Sequence, residues 1–385
     1  MTDTTQLPRD GAFLGRARAP GKAHPLIVTV RNGTVFDITS KAAPTVRDVC
    51  EMDEPAAYLR AADGRAIGTL ADIERNSFEH GRNPARPFLL SPVDLQSVKA
   101  SGVTFVASLL ERVIEEQARG APEKAQAIRA DITQLIGSDL SKLTPGSPAA
   151  MTCKEKLIAR GVWSQYLEVG IGPDAEIFSK CQPLASVGFG ADVGLHPISR
   201  WNNPEPEIAV IVSSRGRIEG ACLGNDVNLR DVEGRSALLL GKAKDNNASA
   251  ALGPFIRLFD ETFALNDLKK VDVRVRVVGE DDFSLEGSSS MAAISRSPEQ
   301  LVAAAMGPHH QYPDGMVLYL GTMFVPSTDR GEPGKGFTHR IGDMVTISTP
   351  RLGALVNRVR LSPDCAPWSY GARQLMRDLA RAGLL

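Results

Sequence analysis

The stretch RWNNPEPEIAVIVSSRGRIEGACLGNDVNLRD, running from Arg200 to Asp231, decides how the chain is read. Glu205 and Glu207 stand one residue apart at the mouth of an apolar run, and Asp226 closes the run that follows. Side chains at i and i+2 of a strand share a face, so the two glutamates point one way and Pro206 the other. Pro206 has no N–H to give to a ladder, which puts it at an edge or at a strand start. The run continues to Val212, SSRGR supplies a turn, and IEGACLGND returns. Such a hairpin carries Asp226 back to the beginning of the first strand. Three acids on one partly buried surface raise one another's pKa values unless a cation lies among them. A set of oxygen donors without His or Cys suits a hard ion, Mg²⁺ first, with Mn²⁺ or Ca²⁺ as substitutes. E-x-E is common on strands, so spacing alone favours the plainer reading of a structural pair.

The rest of the chain narrows the class. With 385 residues, 43% of them apolar and 23% charged, it can bury a real core and hold two domains, or one with an appendage. Its 44 basic and 45 acidic residues nearly cancel, and no basic run stands out, so neither nucleic acid nor an anionic membrane is an expected partner. The opening MTDTTQLPRDG has no leader pattern, and no apolar segment approaches the roughly 18 residues needed to cross a bilayer. Five scattered cysteines without a C-x-x-C pair suit a reducing cytoplasm and argue against a thiolate zinc site. A cytoplasmic, soluble protein is expected.

Short β-like runs, AFLGRARAP and LIVTVRNGTVFDI, open the chain, and Asn32-Gly33 is a hairpin signal because both positions tolerate positive φ. Gly, Pro and charge cluster in HGRNPARP, placing a boundary near residue 84. Residues 1–84 therefore read as a small α+β domain and 85–385 as a β-rich, mixed α/β catalytic domain. Phe105, Leu109, Leu110, Val113 and Ile114 fall on one helical face, which predicts an amphipathic helix over about 102–118. PEKAQAIRADITQLIG suits a second helix, LTPGSPAAM a turn, and the chain after Val162 is expected to be rich in strands. Two tempting features are set aside. GEPGKGFT lacks the Ser or Thr after Lys335 that a phosphate loop needs, and His309-His310 sits in a Pro/Gly-rich loop that reads as surface.

PEPE, GNDVNLRDVEG and LLLGKAKDNNASAALGP together resemble the core signature of the fumarylacetoacetate hydrolase superfamily. FLLSPVDLQSVKASGVTF is similar to that family's lead into its lid, here residues 102–145. AEIFSK sits where relatives carry P-E-x-F-F-K, and GTMFVP with GFTHRIGDMVTISTPRLGALVNRV resembles the closing strands. The resemblance covers about residues 87 to 360. It implies a β-roll catalytic domain, Mg²⁺ held by Glu205, Glu207 and Asp226 (Mn²⁺ in its place), and a homodimer or dimer-built oligomer. It also implies a 2-oxo acid substrate that chelates the metal, which acts as a Lewis acid and stabilises an enolate.

Fold alone does not choose among the chemistries of the superfamily. Hydrolytic and decarboxylating relatives carry N-Y-x-x-H-x-x-E on the lid helix, whereas TFVASLLE has Ser108 at the His position and keeps Glu111. Serine has no pKa near neutrality and makes a poor base for water. Ser108, AEIFSK and the lysine of GKAK resemble the superfamily's sugar-acid dehydratases, which act on 2-keto-3-deoxy-pentonates and yield 2,5-dioxopentanoate. Carried over from them, Glu176 and Lys244 are acid–base residues, with Lys242 the rival lysine, and Glu111 is a third catalytic candidate. Ser108, Arg230, Thr322 and Ser288 or Ser289 are candidate substrate contacts, with Glu233 a further polar position. Two other readings stay open: a hydrolase cleaving a 2,4-diketo acid on the same fold, and a metal-stapled scaffold without turnover.

Overall fold

Strands β1 (Ala12–Arg18), β2 (Leu26–Arg31) and β3 (Thr34–Asp37) open the chain, and β4 (Arg65–Thr69) extends their meander. Asn32 and Gly33, at φ 50° and 73°, make the tight turn expected between β2 and β3. The computed structural model describes residues 6–125, 128, 140, 143–161, 163–331 and 336–385. After β5 (Phe88–Leu90) and β6 (Ser97–Ser101) comes the helix Val106–Gln117, on the face that the apolar spacing predicts. β7 (Ile177–Cys181) and β8 (Asp192–Leu195) precede the hairpin of β9 (Pro206–Val212) and β10 (Ile218–Asp226). Then follow β11 (Ala250–Leu258), β12 (Asp272–Val278), β13 (Ser284–Ser290), β14 (Met316–Tyr319), β15 (Met344–Thr349) and β16 (Gly353–Leu361).

These strands form two sheets. The larger runs β4-β3-β2-β1-β11-β10-β9-β14-β6-β7, with β5 paired to β1, and the smaller runs β13-β12-β15-β16-β8. All of β9 is buried because β10 and β14 flank it and both faces are covered, which explains its unbroken apolar run. Ile208, Val210 and Val212 pack into a core shared with Val273, Val275 and Ile347 of the smaller sheet. Ala209 and Ile211 face the other way, into a core with Val46, Val49 and Leu59 from the helices Val46–Cys50 and Pro55–Ala61.

The boundary expected near residue 84 falls in a surface turn, where Gly81 has φ 82°, but the sheet runs on across it. β1 pairs antiparallel with β11, Ala12 opposite Leu258 and Leu14 opposite Ile256. Phe13 and Val28 pack in the same core as Ile208. Residues up to 84 thus prolong the larger sheet, since pairing with β11 hides an edge that would otherwise lie bare.

Three short helices build the region over the site. Where a turn and then strands are expected, the chain forms the helices Pro148–Ala159 and Gln165–Ile171, capped by Ser147 and Ser164. Both cap hydroxyls accept from the backbone N–H three residues on, and Pro148 suits the first helical turn because its missing N–H is not needed there. Leu157, Leu167 and Ile171 meet Leu109 and Val113 of the helix Val106–Gln117, with Trp201 beneath. Residues 126–127, 129–139 and 141–142 of the expected lid and second helix lie outside the described residues, as do 332–335 of the rejected phosphate-loop run. No helix among the described residues is long and apolar enough to cross a membrane.

Because the larger sheet joins strands from residue 12 to residue 319 and one core packs it against the smaller sheet, heat should unfold the protein in a single transition. Calorimetry and circular dichroism would then report the same midpoint; a separate early transition of the amino-terminal strands would contradict the shared sheet.

Candidate active site

Strand pairing brings the acids together. Gly224 faces Glu207, Asn225 faces Pro206, and Asp226 N donates to Glu205 O at 3.1 Å. Pro206 is the first residue of β9, as its missing N–H requires. Glu205, Glu207 and Asp226 are buried, and one carboxylate oxygen from each lies within 4.8 Å of the other two. Beneath them Gly224 leaves room for the Tyr319 ring, into which a Cβ would run, and Tyr319 Oη donates to Ala251 O at 2.8 Å.

Each acid has fixed partners. Glu207 accepts from Gly321 N at 2.8 Å and from Thr322 Oγ1 at 3.3 Å. Asp226 pairs with Lys180 Nζ at 2.7 Å and Lys244 Nζ at 3.1 Å. Glu205 takes Lys244 Nζ at 2.5 Å on one oxygen and the Arg112 guanidinium on the other. Lys180 is itself fully buried and donates to the carbonyls of Val227 (3.2 Å) and Lys244. A second tier of acids surrounds these: Glu115 Oε2 lies 2.6 Å from Arg112 Nη1, and Glu233 Oε2 lies 3.4 Å from it. Arg230 holds Glu115 at 2.6 Å and Glu111 at 2.9 Å, under the Trp201 ring at 4.3 Å.

The electrostatics follow from burial and this crowding. Burial, then Asp226 and Glu205, push the Glu207 carboxyl well above its ordinary value. Burial also works against charge on Asp226, but Lys180 and Lys244 outweigh it and hold that carboxyl low. In Lys244 burial opposes the charge as well, yet Asp226 and Glu205 prevail and raise its pKa. Glu176 is pushed up to about 7, by burial first and then by Glu233, against the opposing pull of Lys244 and Arg112. Its carboxyl lies over Gly102, where any Cβ would collide with it, and Gly102 N donates to Glu176 O at 3.2 Å.

These residues fit a hard divalent ion. Three buried acids offer only oxygen, they converge from two paired strands, and the raised Glu207 carboxyl shows the repulsion that a cation among them would relieve.

Other candidates fall into distinct places. Lys244 reaches the acids, whereas Lys242 is exposed. Thr322 holds Glu207. Ser108 is buried and donates to Phe105 O at 2.9 Å, and Glu111 is engaged by Arg230. Arg230, a candidate substrate contact, is committed to Glu115, Glu111 and Pro326 O, which leaves its guanidinium a structural tie. Ser288 is not brought to the acids: it lies on the outer face of the smaller sheet with Arg274, Arg276 and Ser348. Ser289 faces the opposite way, the side on which Gly287 packs under Phe324. Arg112, Glu115 and Lys180 carried no signal that sequence reading weighed. Lys180 ends the AEIFSK stretch, and Arg112 and Glu115 share a helix face with Ser108.

Magnesium should therefore raise the unfolding temperature. An ion present at about 100 times its Kd stabilises the folded state by about 2.7 kcal/mol. Thermal melts in Mg²⁺ and in chelator should differ for the parent protein and coincide for E207Q and D226N; a parent indifferent to both would sink the metal site.

Comparison with known proteins finds chains similar to this one. Residues 172–360 match the model described as fumarylacetoacetate (FAA) hydrolase, C-terminal. The 2-dehydro-3-deoxy-D-arabinonate dehydratase of Saccharolobus solfataricus is 31% identical over 185 residues, 48% of this chain and 58% of that protein. The chain thus matches little more than half the length of that relative. A probable 2-keto-3-deoxyxylonate dehydratase of Haloferax volcanii is 27% identical over 332 residues, 86% of this chain and 93% of that one. Solved structures of 2-keto-3-deoxy-D-arabinonate dehydratase share the fold at 21% identity, covering 91% of this chain and 99% of theirs. The apo form superposes with a TM-score of 0.63, and the complex with magnesium and 2,5-dioxopentanoate with 0.62. Residues 172–360 are thus similar to the C-terminal region of fumarylacetoacetate hydrolases, and the chain as a whole resembles dehydratases that share this fold.

Proposed function

We propose that the protein is a carbon–oxygen hydro-lyase that converts a 2-keto-3-deoxy-pentonate into 2,5-dioxopentanoate, with Mg²⁺ as its metal. The observation that carries this reading is the pair of proton-handling groups at the acid cluster: Glu176 near neutrality and Lys244 bound to Glu205 and Asp226. The relatives' names supply the substrate class, and the related fold bound to magnesium and 2,5-dioxopentanoate supports the product.

When bound, a divalent ion supplies Lewis-acid stabilisation of the charge that develops at the 2-oxo group. The rest falls to the chain. Glu176, with a carboxyl at about 7, takes a proton from C3. Lys244, kept protonated by its carboxylate neighbours, gives a proton to the C4 hydroxyl. That oxygen leaves as water, and a C3–C4 double bond replaces the broken C–H and C–O bonds. Neutral Lys244 then takes a proton from C5 while Glu176 returns one to C3. Both side chains are back in their starting states, and the remaining enol becomes the aldehyde. The helices Val106–Gln117 and Gln165–Ile171, packed through Leu109, Leu167 and Ile171, cover the site and keep bulk water from it.

A small panel of 2-keto-3-deoxy acids, assayed with Mg²⁺ and with chelator, tests the reading. A semialdehyde should form only with metal, and E176Q should lower turnover roughly 10²- to 10⁴-fold; a pyruvate-type product from carbon–carbon cleavage would overturn it. The pH profile tests the base. Glu176 acts deprotonated, so kcat/KM should fall about tenfold per unit as pH drops below about 7. A profile flat from pH 8 to pH 5.5 would remove Glu176 from that role.

A further inference from the structure

Glu205 has both of its oxygens covered by side chains of this protein. Lys244 holds Oε2 at 2.5 Å and Arg112 holds Oε1. A metal ion on Glu205 would stand beside two cations already held there, and their mutual repulsion favours the release of one. Lys244 would fall back on Asp226, which belongs to the same metal set. Arg112 would keep Glu115 at 2.6 Å and Glu233 at 3.4 Å, acids outside that set. Arg112 is therefore the partner that can let go without leaving a buried charge unpaired.

Its Nη2 would then be a guanidinium donor beside the metal ligands, and the charge of Arg112 also acts on Glu176. The neighbouring cations are unsuited to that place. Arg230 spends Nε, Nη1 and Nη2 on Glu115, Pro326 O and Glu111, and Lys180 is occupied by Asp226 and the Val227 carbonyl. In the structure Arg112 already holds a carboxylate, that of Glu205. We infer that Arg112 anchors the carboxylate of the 2-oxo acid, exchanging Glu205 for the substrate when Glu205 turns to the metal. This rests on the proposed function and adds to it a residue that recognises the acid group. A guanidinium matches a carboxylate in shape, and the pairing gains strength away from water. Arg112 rides on the same helix as Glu111 and Glu115, which grip Arg230, so anchoring the acid also fastens this helix over the reacting carbons.

Pyruvate, a 2-oxo acid with no C4 hydroxyl to lose, and its uncharged analogue pyruvamide are the probes. Calorimetry on the full chain measures Mg²⁺ binding first, then probe binding at saturating Mg²⁺, for the parent, R112K and R112M. R112K keeps the buried charge and guards against a variant that merely unfolds. Mg²⁺ should bind both variants no more weakly than the parent, and pyruvate should bind them roughly 10- to 100-fold more weakly. Pyruvamide should bind parent and R112K alike, and KM for a 2-keto-3-deoxy acid should rise more than kcat falls in R112K. Equal pyruvate affinity in the parent and R112K overturns the inference, as does a loss of Mg²⁺ affinity in R112K, which would make Arg112 a support for the metal site alone. A parent that binds no Mg²⁺ refutes the proposed function itself, and the inference with it.

Discussion

Crowding of buried negative charge governs this molecule. Glu205, Glu207 and Asp226 lie at the buried end of the β9–β10 hairpin, with Glu115 and Glu233 close behind. Isolated carboxylates at such depth would be prohibitively costly. The chain answers with cations drawn from widely separated segments: Arg112 from a helix, Lys180 from β7, and Lys244 from the short helix Leu240–Lys244. A backbone N–H at Gly321 supplements them. Elements far apart in the chain are thereby tied to one point, and their positions are set by charge as much as by apolar packing.

The apolar frame makes that concentration tolerable. β9 and β10 are held on both sides by β14 and β11, with a core on each face of the sheet, so the acids cannot drift toward solvent. Gly224 and Gly102 mark where the frame gives way to function. At the first the Tyr319 ring passes under the acids, and at the second the Glu176 carboxyl lies over the backbone. In both places the missing side chain lets another group come closer than a Cβ would permit.

Much of this was legible in the residues. The i, i+2 rule gave Glu205 and Glu207 one face, SSRGR turned the chain, and Asp226 arrived where pairing puts it. Asn32-Gly33 made its turn for the same kind of local reason. What escaped notice was either faint or non-local. Ser147-Pro148 is a cap followed by a first-turn proline, but in LTPGSPAAM it was outweighed by the neighbouring Pro and Gly. Nothing in β1 announces that its partner is β11, more than 230 residues along, so residues 1–84 looked self-contained. Arg112 and Glu115 sit in an amphipathic helix where charge usually means water. Only the folded chain shows them facing inward.

The hairpin itself has one more implication. Glu205 and Asp226 are neighbours because two strands run antiparallel, and the turn that joins those strands, Ser213–Arg217, lies at the far end. Lengthening or shortening that turn would leave the end that carries the acids as it is. A single residue gained between Glu207 and Val212 without a matching gain opposite would swing both glutamates to the wrong side of the sheet. The count of residues between the second glutamate and the aspartate is thus free to drift in distant kin, provided both strands keep step, and a search that fixes that interval would overlook some of them.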